Sequence, residues 1–507
     1  MAKSYDVVVI GAGNGGLVAG LTAALNGLKV LVVEQHNLPG GAASSFVRGR
    51  FEFEPAIHEM SRVGTKEEPG QLRSMMDALG INIDWVRVPE AYHLVVKSEG
   101  IDEEMPFGVK EFIEKMEYYH PGSAGKMQEF IALCIESLKA FGYLQGVRDK
   151  YDRAYLEENF PNFLQVATLT IDEVFEAVGL PEDVRINLST YWSYLGLSTD
   201  KEDFMLFCPM LMGYLTNGAY VPPMRSHEVS AKMEKRIVDA GGEIWFNTLV
   251  EKIIMEDGHV AGVVTNRGEV RAKEVIANCS PHVVFGSMLD PKYVPEDEIR
   301  LANARHYDFS VSIVYLGLNK SMEELGIKDY TVFFQDYVDN AKAFDSLKKR
   351  DNNHNVVSTC LNAAVQGASP EGTCMIALTI GALEDSWSDI EPEDYVKVKN
   401  QFALQAIETF EDATGCKIQD AIEEFEMATP VTLSRYMYTP QGNIYGYLMY
   451  GWDGILSRGL TIEEDNNRVP GLKFAGAHGY MGMGFSSSYF SGNLIANMSI
   501  EAIKEGK

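Results

Sequence analysis

The spacing of apolar residues changes several times along this chain, and each change marks a different element. Val7-Val8-Val9-Ile10 is an unbroken β-branched run, the pattern of a parallel strand buried on both faces. Glycines follow at once. The spacing then predicts a helix from Leu17 to about Asn26 and a second buried strand over Lys29–Val33. From Lys110 to about Tyr194 the period lengthens to three and four. Phe112, Ile113, Met116 and Tyr119 share one helical face, and Phe130, Ile131, Cys134, Leu138 and Phe141 share another. Pro121-Gly122 divides these helices, and Leu180-Pro181-Glu182 opens a further one. The aromatic run Tyr191-Trp192-Ser193-Tyr194 leads towards residues 204–215, an apolar stretch whose methionines suit either a helical core or a lipophilic pocket.

A helix over Ser226–Ala240, with Val229, Met233 and Ile237 on one face, stops at Gly241-Gly242. Three strand-like runs follow at 243–253, 260–264 and 269–278, with hairpin signals at Asp257-Gly258 and Arg267-Gly268. Ser310–Leu318, Tyr330–Phe334 and Cys374–Ile380 read as strands of a second sheet, with helices over Glu393–Phe410 and Lys417–Glu424. A last strand at Gly471–Ala475, a glycine loop and a helix from Ser487 to about Ile503 close the chain. The expected fold class is α/β: a discontinuous Rossmann-like nucleotide-binding domain with an α+β substrate domain, a mixed sheet under helical cover.

The first strand carries candidate chemistry. Gly11 permits a tight turn, Gly13 lets backbone approach a pyrophosphate, and Gly16 lets helix pack on strand. The helix N-terminus offers unpaired N–H groups and a partial positive charge to phosphate. Glu34, at the end of the second strand, suits an adenosine ribose 2′-hydroxyl and would repel a 2′-phosphate. These features predict a dinucleotide, with NAD and FAD both open. Pro39-Gly40-Gly41-Ala42-Ala43-Ser44-Ser45 stands where a second helix would begin, giving backbone room and hydroxyls beside a bulky ligand.

Charge and composition narrow the classes. A formal net charge of −28 argues against nucleic acid and against electrostatic attachment to anionic lipid, so any peripheral membrane contact would be hydrophobic. The six cysteines form no Cys-x-x-Cys pair and suit a reducing cytoplasm. The ten histidines lack ligand spacing, so no metal site is expected. The first strand starts too early to leave room for a signal peptide. The longest uninterrupted apolar run, residues 204–215, is shorter than the roughly twenty residues a membrane span needs.

With the fingerprint, Glu34 and Gly40-Gly41 in place, the chain resembles the flavoprotein superfamily of amine oxidases, phytoene desaturases, carotenoid isomerases and retinol saturases. The resemblance extends to Phe51-Glu52-Phe53 with His58, although Ala56 stands where relatives have glycine. It also covers 241–278, and the C-terminal Ala428-Thr429-Pro430, Gly442-Asn443-Ile444-Tyr445-Gly446 and Gly476-Ala477-His478. Two departures are Met224-Arg225 in place of a glycine pair and Ala477 in place of an acid that holds a ribityl hydroxyl.

The resemblance implies FAD, held by Gly11, Gly13, Asn14, Gly15 and Gly16, by Glu34 and Gln35, and by Gly40, Gly41, Ala42, Ser44 and Ser45. Val250 and Asn278 on the adenine side, and Gly476, Ala477, Gly484 and Phe485 near the flavin, complete the set. It implies an FAD-binding domain at 1–95, 220–290 and 427–507, with a substrate domain at 96–219 and 291–426 whose segment 110–215 is mainly helical. The expected activity is desaturation, saturation or isomerisation of a carbon–carbon bond in a long lipophilic substrate such as a carotenoid, retinoid or unsaturated fatty acid. One glycine fingerprint leaves no dedicated NAD(P)H domain, so electrons would pass to or from an external partner such as a quinone, or there would be no net redox. His478, Tyr480, His58 and Tyr445 are the candidate acid–base residues. An amine oxidase and a non-catalytic flavin-binding protein are the alternatives.

Overall fold

The computed structural model describes residues 3–350, 355–466 and 468–506. Strand β1 (Lys3–Ile10) runs into helix α1 (Asn14–Leu25), which returns to strand β2 (Val30–Val33). β1 lies parallel between β2 and Gly268–Ala277 at the centre of a seven-stranded sheet. Glu243–Trp245 extends that sheet beyond β2, and Leu472–Phe474 joins it from the C-terminus, both in parallel register. The all-apolar run of β1 still alternates. Val7 and Val9 pack with Leu17, Val18, Val229, Met233 and Ile237 of the covering helices. Val8 and Ile10 face Val250, Val263 and Val275 on the opposite side. Both faces of the strand are dry, which is why no polar position interrupts it.

The second sheet has seven strands, in the order Ile422–Ala428, Ser310–Leu318, Cys374–Ala382, Asn355–Thr359, Thr331–Gln335, Tyr92–Val96 and Ile101–Met105. It is antiparallel except where Thr331–Gln335 meets Tyr92–Val96. Tyr92–Val96 straddles the domain boundary expected at 95/96. Helix Tyr395–Thr414 covers one face, and helices between residues 109 and 217 stand beyond the other.

Two sequence readings are corrected. The run 243–253 is two strands, Glu243–Trp245 and Val250–Glu256. Between them Asn247 takes a positive φ of 50°, and the Asn247 and Thr248 amides bond the His36 and Glu34 carbonyls, wrapping the end of β2. Residues 417–424 are not a helix. The Glu411 carboxylate accepts from the Ile418 (2.7 Å) and Gln419 (3.0 Å) amides and turns the chain into strand Ile422–Ala428. Glutamates that favour a helix here sit on a sheet edge, where Glu423 and Glu426 pair with Arg50 and Arg48.

Residues 204–215 form one buried helix, Phe204–Asn217, capped by Asp203. Among the described residues one helix, Ala124–Val147, is long and apolar enough to cross a membrane by length and composition, and 39% of its most apolar window is buried inside the protein. Its few charged side chains, Glu129, Glu136 and Lys139 among them, are why it does not show as an uninterrupted apolar run.

The C-terminal return is pinned by a buried ion pair. Lys473 bonds Glu274 on the neighbouring strand, and Ser499 on the last helix donates to the same carboxylate (3.2 Å). Lys473→Met leaves an unpaired buried carboxylate and should cost about 3–5 kcal/mol in urea unfolding of the purified protein. Adding Glu274→Leu should recover most of that loss.

Candidate functional site

At the end of β1 the backbone turns on Gly11 (φ 95°) into the N-terminus of α1. A Cβ on Gly16 would lie 2.0 Å from the Gly11 carbonyl oxygen, so only glycine closes this turn. A Cβ on Gly15 would lie 2.6 Å from the Gly476 nitrogen, and one on Gly492 would lie 2.2 Å from the Gly15 oxygen. The Asn278 amide spans the seam beside Gly11, Gly13 and Gly476, and its backbone N–H bonds the Ile10 carbonyl (2.8 Å). Neither α1 nor the last helix, Phe485–Glu505, has a side-chain cap, and Asn14 Oδ1 is buried with no partner. Open helix N-termini and a cradle without Cβ atoms form a receptor for a phosphate-bearing ligand, and the orphaned Asn14 Oδ1 is placed to accept from a ligand hydroxyl or N–H.

The Glu34 carboxylate is set at the end of β2 by the amides of Ala12 (2.7 Å) and His36 (2.8 Å). Each of its oxygens retains a lone pair for a ribose hydroxyl. Gly40 bridges to Gly13, and its N–H donates to the Ala12 carbonyl (2.7 Å). Gly41 and Gln35 are exposed, Ala42 is half-buried, and Val250 is buried opposite Thr265. The Ser44 and Ser45 hydroxyls donate within the protein, to the Pro39 carbonyl (2.9 Å) and to Glu52 (2.6 Å). Gly484 precedes the last helix at φ 95°, and Phe485 packs at the core margin.

The four acid–base candidates separate into three places. His58 and Tyr445 line one narrow cavity with Trp192, Tyr194, Phe309 and Phe333, and a second, adjacent cavity shares His58 and Thr379 in its lining. His58 Nδ1 is 3.1 Å from the Tyr194 hydroxyl, and Nε2 is 3.0 Å from Thr379 Oγ1. Burial lowers the His58 pKa to about 4, so the ring is neutral. Tyr445 stacks on Phe309 (5.1 Å) and donates to the Ser193 carbonyl, and burial raises its pKa.

His478 lies elsewhere, edge-on to Tyr447, with Nδ1 buried and unpartnered. Burial, then His282 and the arginines Arg458 and Arg305, lower its pKa to about 3. Both arginines bond Asp453. Tyr480 turns towards helix Ala124–Val147, where it accepts from Gln145 Nε2 (3.0 Å). Sequence reasoning missed Tyr194 and Thr379. The aromatic run at 191–194 was the one signal for Tyr194, and nothing near residue 379 marked the threonine.

The phenol of Tyr315 donates to the Pro55 carbonyl (2.6 Å), and that of Tyr330 donates to the His58 carbonyl, so the second sheet holds the His58 loop by its backbone. From the other side, Ser226 donates to Glu54 through both its N–H (2.7 Å) and Oγ (2.8 Å). Arg225 takes a positive φ of 65° and sends its guanidinium inward to Glu52 and the Ala368 carbonyl.

Residues 6–68 match the family model described as FAD dependent oxidoreductase. That segment is similar to FAD-dependent oxidoreductases. All-trans-retinol 13,14-reductase from Danio rerio is 24% identical over 481 residues, covering 88% of this chain and 78% of the relative. Chloroplastic prolycopene isomerase from Daucus carota is 25% identical over 517 residues, covering 98% and 80%. Among solved structures, putrescine oxidase superposes with a TM-score of 0.63 at 13% identity over 98% of this chain and 99% of its own. Cyclohexylamine oxidase from Brevibacterium oxydans gives 0.62 at 16% identity over 99% of each chain. These structures show the shared amine-oxidase fold. In sequence the chain is similar to the retinol 13,14-reductase and the prolycopene isomerase, and in fold to the two amine oxidases.

FAD fits the residues present. The Gly11–Gly16 turn and the α1 N-terminus suit its pyrophosphate, and Glu34 suits the adenosine ribose. Two variants test the cradle. Gly15→Val, driven against the Gly476 backbone, should abolish flavin retention on purification, read from the flavin-to-protein absorbance ratio. Glu34→Ala should weaken FAD about tenfold, the worth of one hydrogen bond to a charged acceptor.

Proposed function

We propose that this flavoprotein acts on a carbon–carbon double bond of a long lipophilic substrate such as a carotenoid, a retinoid or an unsaturated fatty acid. The observation that carries the reading is the pair of adjacent cavities, walled by aromatic and aliphatic side chains of the second sheet, with His58 in the wall of both. The names of the retinol reductase and prolycopene isomerase relatives point the same way.

Bound FAD supplies hydride transfer at N5. The chain's own residues do the rest. Phe309, Phe333 and Trp192 exclude water and flank an elongated apolar chain. The neutral His58 ring carries one N–H and one lone pair, so it can give or take a proton at the substrate carbon. Tyr445 closes the same wall. An external carrier such as a quinone exchanges electrons with the flavin when the reaction is a net saturation or desaturation. The reading places the protein in the cytoplasm, where the six free thiols stay reduced, with apolar contact to a membrane as the route for its substrate.

The decisive experiment exposes the purified yellow protein to carotenoids, retinoids, unsaturated fatty acids and amines without oxygen, before and after chemical reduction. Spectral change or product formation with a polyene or retinoid is the expected result. Bleaching by amines alone, with peroxide release in air, would overturn the reading. His58→Ala should lower kcat about 10²–10⁴-fold, the usual worth of a positioned acid or base.

A further inference from the structure

The loop that presents His58 also carries Glu59, a carboxyl that the proposed reaction does not use. Both its oxygens are buried and neither closes a hydrogen bond. The group lies against the hydroxyls of Tyr194 and Thr331, and Thr331 Oγ1 is likewise buried without a partner. The titratable groups facing it are Glu90 and the phenols of Tyr191, Tyr194, Tyr214 and Tyr330. Burial raises the Glu59 pKa to about 8, outweighing the Tyr194 and Thr331 hydroxyls, and the Glu90 charge adds to the rise. An unpaired carboxylate is costly in such a place, and the neutral acid is not.

Tyr194 joins this acid to the cavity. Its hydroxyl faces Glu59 and stands 3.1 Å from His58 Nδ1, while His58 Nε2 reaches Thr379 on the cavity wall (3.0 Å). A phenol and a neutral imidazole each donate and accept, so the line can pass a proton without storing charge on either.

We propose that Glu59 is the proton reservoir of the site, feeding His58 through Tyr194. This rests on the function proposed above. In the proton-donating direction, the His58 Nε2–H proton goes to a substrate carbon as a C–H bond forms. His58 Nδ1 takes the Tyr194 hydroxyl proton, and the Tyr194 oxygen takes the Glu59 proton. Glu59 ends as a carboxylate and is reprotonated from water. In a saturation the neighbouring carbon receives the hydride equivalent, its two electrons drawn from an external quinol-type donor by way of the flavin. In a desaturation the proton runs the other way along the same line. In an isomerisation the substrate returns the proton and no electrons move. Of the three relay groups only His58 exchanges the proton with the substrate; Glu59 and Tyr194 act through it as positioning residues.

The test compares the wild-type holoenzyme with Glu59→Gln, Glu59→Asp and Tyr194→Phe. All-trans-retinol and prolycopene serve as probes, and kcat, KM and thermal midpoint are read from about pH 5 to 10. In the proton-donating direction wild-type kcat should fall as pH rises through about 8. Glu59→Gln should lower kcat at least tenfold with KM little changed and should lose that alkaline limb, and Glu59→Asp should restore part of both. Tyr194→Phe should also lose the limb.

The thermal readout needs no turnover. A carboxyl whose pKa is raised on folding is protonated in both states at acid pH. It therefore costs stability increasingly as pH climbs from its ordinary 4.5 to about 8, and the cost levels off above that. The midpoint of wild type minus that of Glu59→Gln should fall over this interval, and Tyr194→Phe should keep the same fall. A difference that is flat with pH would overturn the reservoir. Unchanged kcat, or an alkaline limb that survives in Glu59→Gln, would overturn the relay while leaving the proposed function standing. Absence of turnover with every polyene and retinoid would instead remove the function and the relay built on it, whatever the thermal result.

Discussion

Bare backbone contact at the end of the central strand is the constraint on which the rest of this structure depends. Gly11 meets Gly16, Gly15 meets Gly476, and Gly492 meets Gly15, each so closely that a methyl group has no place. Residues 11–16 and 476–492, more than 400 positions apart, share that seam, and Asn278 from between them in sequence lies along it. The open N–H groups of α1 keep their position only because the last strand and helix return to press against them. The Lys473–Glu274 pair and Ser499 hold that return from within the core.

The same contrast decides how much was legible in the chain. Val7 to Gly16 and Glu34 could be read directly, because strand, turn, helix and acid are neighbours in sequence as well as in space. His58 was legible as a candidate from the Phe51-Glu52-Phe53 pattern before it, but its partners were not. Tyr194 comes from the helical segment and Thr379 from the second sheet, and no spacing brings 58, 194 and 379 together. Tyr480 shows the opposite failure. It lies two residues from His478, yet the glycine-rich loop turns it to a different neighbourhood. At 422–428 glutamates with helical preference were overruled by the need to complete a sheet edge.

Burial governs the ionisable groups on the cavity walls, shifting both Glu54 and His58 towards their neutral forms. His58 and His478 are held neutral, and beside His478 the Asp453 carboxylate bonds both Arg305 and Arg458, which leaves one net positive charge there. An apolar substrate chain thus meets, in His58, a group that can exchange a proton while its ring is neutral. That environment favours proton movement over ion binding.

The loop from Glu54 to His58 has a mechanical consequence as well. One end is tied to helix Arg225–Asp239 through Ser226, and its carbonyls are tied to the second sheet through Tyr315 and Tyr330. It is a strut between the two halves of the molecule, not a hinge. Jaws that opened around a substrate would tear the proton-bearing imidazole out of register with the cofactor cradle. A long ligand therefore has to thread in end-on past yielding side chains while the scaffold stays still. Selectivity then falls on the girth and stiffness of whatever enters, more than on its length.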